Sequence, residues 1–142
     1  MKKNKIIVFK VFLFNIFKPL EKLFAYNRMR RDAWYTKQAS IISNGSKVLD
    51  VGAGGCPHRD KFNHCEYFTQ DFIQLSDSQI QNHDGYGKID FVSDILDIPV
   101  PDESYDVIIC SEVIEHVPYP VSAIKEISRI LKPGGTLLIT AP

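Results

Sequence analysis

One stretch of eight residues, Val48 to Gly55, constrains the fold of this chain more than any other. The short apolar run Val48-Leu49 leads into Asp50 and then into Gly52-Ala53-Gly54-Gly55. Glycine lacks a Cβ, so it can take φ > 0 where a strand bends sharply into a helix, and it lets the backbone approach a ligand closely. Pro57 suits the first turn of the helix expected next. Such a strand, turn and helix put a nucleotide-type site at the carboxyl end of a strand, although glycine pairs also occur in plain turns.

The acids that follow sharpen the reading. Tyr67 and Phe68 belong to a second strand ending at Asp71, 21 residues beyond Asp50, the spacing at which a carboxylate meets ribose hydroxyls in a dinucleotide-type fold. Nicotinamide binding would call for G-x-G-x-x-G from Gly52, and position 57 is proline. Residues Ile89 to Ile95 read as a third strand. Tyr105 to Cys110 read as a fourth, running into Ser111-Glu112-Val113-Ile114-Glu115-His116. Pro120 is placed to begin a helix in which Val121, Ile124, Ile127, Ile130 and Leu131 recur at helical spacing. Lys132-Pro133-Gly134-Gly135 then turns the chain into a fifth strand, Thr136 to Thr140.

Taken in order, Val48 to Gly54, Asp71, Ser93 to Pro99, Tyr105 to Ile108, Glu112 to Val117 and Leu131 to Ile139 resemble the motifs of a class I S-adenosylmethionine-dependent methyltransferase. The resemblance covers roughly Lys47 to Pro142, and it implies an α/β, Rossmann-like doubly wound sheet, mostly parallel, with helices on both faces. That family continues with a helix and two further strands, so the reading includes a sheet whose last strands are missing.

The resemblance also implies roles for particular residues. Asp50 would orient the glycine turn and, directly or through water, the amino group of the cofactor's methionine part, and the backbone of Gly52, Ala53 and Gly54 would pass beneath that part. Asp71 would accept from the two ribose hydroxyls, as an ionised carboxylate can. Asp94 would receive the adenine amino group beside the Ile95 backbone, and Cys110 to Glu112 would line the space where methyl donor and acceptor meet. A third glycine is usual in the family where this chain has Cys56.

S-adenosylmethionine carries its own electrophilic methyl, so the protein's task is to hold donor and acceptor in line and exclude water. A hydroxyl acceptor would also need a base, and His116 is the candidate by chemistry, with local packing as the alternative. Glu112, Glu115 and His116 resemble the metal-binding segment of small-RNA ribose methyltransferases, but no further ligand is visible, and no metal is expected. Cys56, Cys65 and Cys110 follow no disulfide framework, and with His58 and His64 they do not match zinc-finger spacing.

A hydrophobic share of 44% with 24% charged residues is ordinary for a globular α/β protein. The zero net charge hides an asymmetry: Met1 to Arg31 holds nine Lys/Arg against Glu21 alone, and Asp32 to Pro142 holds eight against sixteen acids. The acidic part argues against a nucleic-acid partner. Residues 1–29 read as a basic leader. Ile6 to Phe17 is apolar except for Lys10 and Asn15, and Lys3, Lys10, Asn15, Lys18, Glu21 and Lys22 fall in one arc of about 140° on a helical wheel.

Such a leader suits an anionic membrane surface, with a helix packed on its own domain or on a partner as the equal alternative, and its apolar run is too short to span a bilayer unaided. The methyltransferase domain is expected over 30–142, opening with a helix from Arg30 to Ser43 in which Trp34 and Tyr35 pack. The expectation is a cytoplasmic protein, with peripheral membrane contact through the leader left open. The acceptor expected is a small molecule or a cell-envelope saccharide or lipid, the rival reading being a non-catalytic S-adenosylmethionine-binding or interaction module.

Overall fold

In the computed structural model, residues 25–73 and 87–141 are described, and the leader reading over Ile6 to Phe17 lies outside them. The chain divides into two compact units, Met1–Ile41 and Ile42–Pro142. In the first unit, residues 25–39 form helix α1. It runs through position 30, where the domain was expected to open, and ends four residues before Ser43. Tyr35 is buried in keeping with a packing role, while Trp34 meets its ring edge-on at 4.9 Å and is 37% exposed.

The second unit is a five-stranded sheet in the order β3-β2-β1-β4-β5. The strands are β1 (Lys47–Val51), β2 (Glu66–Asp71), β3 (Phe91–Val92), β4 (Tyr105–Ser111) and β5 (Leu131–Thr140). All four pairings are parallel. β1 is central and buried from Val48 to Val51, which is why that stretch reads as a nearly continuous apolar run with Asp50 as its one charge, Lys47 before it being exposed. Its register sets Asp50 opposite Thr69 on one side and Ile109 on the other.

Helix α2 (Pro120–Ile130) follows β4, with proline in its first turn where no backbone donor is needed. Ala123, Ile127 and Ile130, spaced i, i+4, i+7, are buried, and the last two join Leu49, Val51, Ile108 and Cys110 in the main core. Val121 and Ile124 were expected to share that face and do not. They lie some 160° and 100° around the helix from Ala123, and both are exposed.

Two further expectations are corrected. The helix after Pro57 is a short 3-10 turn, Arg59–Phe62, anchored by buried Phe62. The third strand shrinks from seven residues to two, and beside it side chains share the pairing with β2: Asp90 accepts from the Thr69 N–H and hydroxyl, both at 3.1 Å, and the Asp90 N–H is shared between Thr69 Oγ1 at 3.0 Å and the Thr69 carbonyl at 3.1 Å. The expected turn at Lys132 to Gly135 appears as a bulge inside β5. Tyr105 pairs with Leu131 and Val107 already with Thr136, so three extra residues loop out, with Gly134 at φ +77°.

Arg129 clasps the segment that returns from β3. Its guanidinium donates to the carbonyls of Ile98 (3.0 Å) and Val100 (2.9 Å) and pairs with Glu126 and Asp102, while Glu126 accepts from the Ile98 N–H at 2.8 Å. A planar fork suits this set and an ammonium does not. Arg129→Ala is therefore expected to cost roughly 1–3 kcal/mol, and Arg129→Lys most of that loss, as a lowered denaturation midpoint at unchanged slope.

Candidate active site

The carboxyl ends of the parallel strands meet around a cavity of about 510 Å³. Its wall includes Gly52, Asp71, Asp94, Ile95, Glu112 and His116, six of the ten residues singled out from sequence. The other four stand behind it. Asp50, Ala53 and Cys110 are buried, and Gly54 faces open space beside the turn.

The glycine turn is stapled to the end of β2. Gly52 and Ala53 both donate to the Gln70 carbonyl, at 2.9 and 3.0 Å, and Gly54 donates to Asp71 Oδ2 at 2.9 Å. Gly52 has φ +68°, and a Cβ there would collide with the Val113 methyls, so both conformation and space demand glycine. Cys56, at the family's usual third glycine, also has a positive φ of 56°. A thiol side chain is thus held in the backbone region that favours glycine, with Gly87 packed so closely that it could carry no Cβ of its own.

Asp71 keeps the capacity expected of it. Oδ2 accepts from Gly54 and Oδ1 from the Ile73 N–H at 2.9 Å, leaving one lone-pair position on each oxygen for a vicinal diol. Asp94 Oδ1 accepts from the Leu96 N–H at 2.9 Å in a tight turn, which leaves Oδ2 to receive an amino group. These acceptors and the cavity's size fit S-adenosylmethionine, whose ribose Asp71 would hold and whose adenine Asp94 would hold.

Cys110 is corrected: it sits in the core, and burial foremost, with Asp50 and Glu115 adding to it, pushes its thiol up to about 12. Alternation along β4 turns it inward, and the wall begins at Glu112. Glu112 adopts φ +55°, and its N–H donates to the Thr140 carbonyl at 3.0 Å, so the end of β5 holds the turn after β4 in a costly conformation. His116 closes a 3-10 turn (Ile114–His116), its N–H bonded to Val113 O at 2.9 Å, and it is an exposed residue among those that line the cavity. Among the described residues no three His, Cys, Asp or Glu side chains converge as a metal-binding group.

Sequence reasoning missed Gln70, Phe72, Leu96, Val113, Val117, Pro118 and Tyr119, which complete the wall. Gln70 is buried and donates to Ser93 O at 2.6 Å, tying β2 to the Asp94 turn. The legible signal was an apolar run, Val117-Pro118-Tyr119, where a solvated loop would be polar.

Asp50 is buried at the floor and accepts from the Tyr67 hydroxyl at 2.5 Å. Burial raises its carboxyl to about 7, against the opposing pull of Tyr67 and Arg59 and with a further push from Asp71. The folded state thus binds this proton more tightly than the unfolded chain, and its contribution to stability is complete at low pH and lost as pH rises through 7. The stability difference between wild type and Asp50→Asn is expected to fall by up to about 1.4 kcal/mol per pH unit between about pH 4 and 7, read from denaturant melts.

The chain matches a family model described as a methyltransferase domain over residues 49–139. It is 34% identical over 121 residues to the sterol 24-C-methyltransferase erg6 of Aspergillus fumigatus, covering 78% of this chain and 31% of that protein. To the ubiquinone biosynthesis O-methyltransferase of Pseudomonas putida it is 30% identical over 132 residues, covering 87% and 53%. This chain thus spans 31% and 53% of these two relatives' lengths. Among solved structures, the [4+2]-cyclase SpnF superposes with a TM-score of 0.60 at 24% identity, covering 78% of this chain and 44% of that one, a likeness of fold. The family match runs from β1 to β5 and takes in every strand whose end builds the cavity, and on that ground the chain belongs to the class I methyltransferases that use S-adenosylmethionine.

Proposed function

We propose that the cavity supports methyl transfer to a hydroxyl of a lipid-soluble or lipid-linked small molecule, with His116 as the base. The observation that carries this reading is the wall after β4, where Val113, Val117, Pro118 and Tyr119 form an apolar surface with one imidazole set in it. An apolar wall excludes water and favours an acceptor that is itself largely apolar. Two relatives, a sterol methyltransferase and a ubiquinone-biosynthesis O-methyltransferase, support the same lipid-soluble acceptor class. The net acidity of residues 32–142 speaks against a polyanionic acceptor, and the basic apolar leader supports work at an anionic membrane surface.

S-adenosylmethionine, when bound, supplies a methyl on a positively charged sulfur that departs as a neutral thioether. The acceptor oxygen forms the new bond to the methyl carbon as the carbon–sulfur pair stays with sulfur. His116 takes the hydroxyl proton on a ring nitrogen. Asp71 and Asp94 fix the nucleoside, and Glu112, held rigid by Thr140, shapes the junction between donor and acceptor.

The test uses radiolabelled S-adenosylmethionine with a panel of lipid-soluble phenols, sterols and free sugars. Labelling of phenols, reduced roughly 10²-fold in kcat by His116→Ala with little change in KM for the cofactor, is the expected result. Transfer to sterol carbon, or to phenols at an unchanged rate in the variant, would remove His116 from the role of base. Independently, Asp71→Ala is expected to weaken binding of the demethylated product about 10²-fold by calorimetry, through loss of charge-assisted bonds to both ribose hydroxyls.

A further inference from the structure

Beneath the glycine turn, three side chains form a stack that the cavity wall does not include. Leu49 and Val51 face the main core, so Asp50 between them points to the opposite side of the sheet. There the Tyr67 hydroxyl donates to Asp50 Oδ2 at 2.5 Å, and the guanidinium carbon of Arg59 lies 4.9 Å from the centroid of the Tyr67 ring. Arg59 Nη2 is buried and finds no hydrogen-bond partner among the described residues.

A guanidinium N–H withdrawn from water without an acceptor costs stability, so something must favour the charge where it is. A ring face attracts a cation, and the Asp50 carboxylate lies on the far side of the same ring's hydroxyl. One cation and one anion thus bracket a phenol, and the cation draws electron density from the ring, making the hydroxyl a stronger donor to the carboxylate. Other groups acting on Asp50 work the opposite way or not at all. Asp71, at the end of β2, disfavours a second negative charge, while Cys56 in the turn and Cys110 on β4 are buried thiols held neutral. Tyr67 is likewise held in its protonated, donating form by burial and by Asp50. Among the described groups that act on Asp50, Arg59 is the only cation.

We propose that Arg59 is a positioning residue for cofactor binding: through the face of Tyr67 it favours the ionised form of Asp50, so that the buried carboxylate can attract, directly or through water, the ammonium of the cofactor's methionine part. The inference rests on the S-adenosylmethionine site described above. Neither Asp50 nor Arg59 lines the cavity, so the carboxylate acts from behind the wall, directly or through water, and Arg59 acts only through it.

The test is a double-mutant cycle. Dissociation constants for S-adenosylhomocysteine are measured by calorimetry on the full chain for wild type, Arg59→Gln, Asp50→Asn and the double variant, from about pH 6 to about pH 8.5, across the carboxyl's titration. If Arg59→Gln raises the proton affinity of Asp50 tenfold, affinity falls about fivefold at pH 7, and the loss shrinks as pH rises. In the Asp50→Asn background the same change has no further effect. Tyr67→Phe reproduces the pH-dependent loss, and Arg59→Lys restores most of the affinity.

Without ligand, the stability slope owed to Asp50 moves to higher pH in Arg59→Gln. Should that variant fail to fold by circular dichroism, Arg59→Lys and Tyr67→Phe carry the same pH comparison. A loss equal at all pH values, or undiminished in the Asp50→Asn background, overturns the inference and makes Arg59 a direct ligand contact or a scaffold residue. Absence of binding by folded wild type at every pH overturns the cofactor reading and this inference with it.

Discussion

The placement of β1 between two parallel partners is the constraint on which the rest of this structure depends. With β2 and β4 on its edges, β1 has no backbone group to spare and no exposed edge, so its side chains must be apolar or individually compensated. The chain leaving it has to turn at once, in a space already occupied by the loop after β4. Only a residue without a side chain fits at Gly52, against Val113, and the turn is then tied down by three backbone donors directed at Gln70 and Asp71. The cavity is the consequence: strand ends on one level, a turn that cannot close over them, and acids at the ends of β2 and β3.

The single charge inside β1 shows how costly this arrangement is. Asp50 lies where a carboxylate is disfavoured by burial, and the neighbouring side chains answer with one hydroxyl and one guanidinium and no direct ion pair. A direct pair would neutralise the acid more fully and leave it less able to receive a second cation. The same economy appears at Asp71, which braces the glycine turn with one lone pair on Oδ2 and retains others for a ligand. Structural and ligand-binding duties thus share atoms.

How much of this was legible in the residues depended on the range of the interaction. The strands ending at Asp71 and Cys110, and the helix beginning at Pro120, were readable because apolar runs and local breakers report directly on backbone preference. The third strand was overestimated because nothing in the string Ile89 to Ile95 says that the Thr69 N–H will be met by the Asp90 carboxylate and not by a backbone carbonyl. Val121 and Ile124 have the right spacing for a core face, and only the angle at which α2 meets the sheet chose Ala123, Ile127 and Ile130. Cys110 looked like a wall residue because it ends a strand, yet alternation sent it into the core.

By itself the sequence determined the family, the order of the strands and the identity of the acids at their ends, since each is written in contiguous residues whose local chemistry admits few conformations. Only the tertiary structure decided which side chains reach the cavity. It also decided that Cys56 and Glu112 would be held at positive φ, and that Arg59, Tyr67 and Asp50 would stack beneath the glycine turn. Those outcomes depend on register, side-chain direction and the competition for lone pairs among residues far apart in the chain. Local propensity carries no record of them.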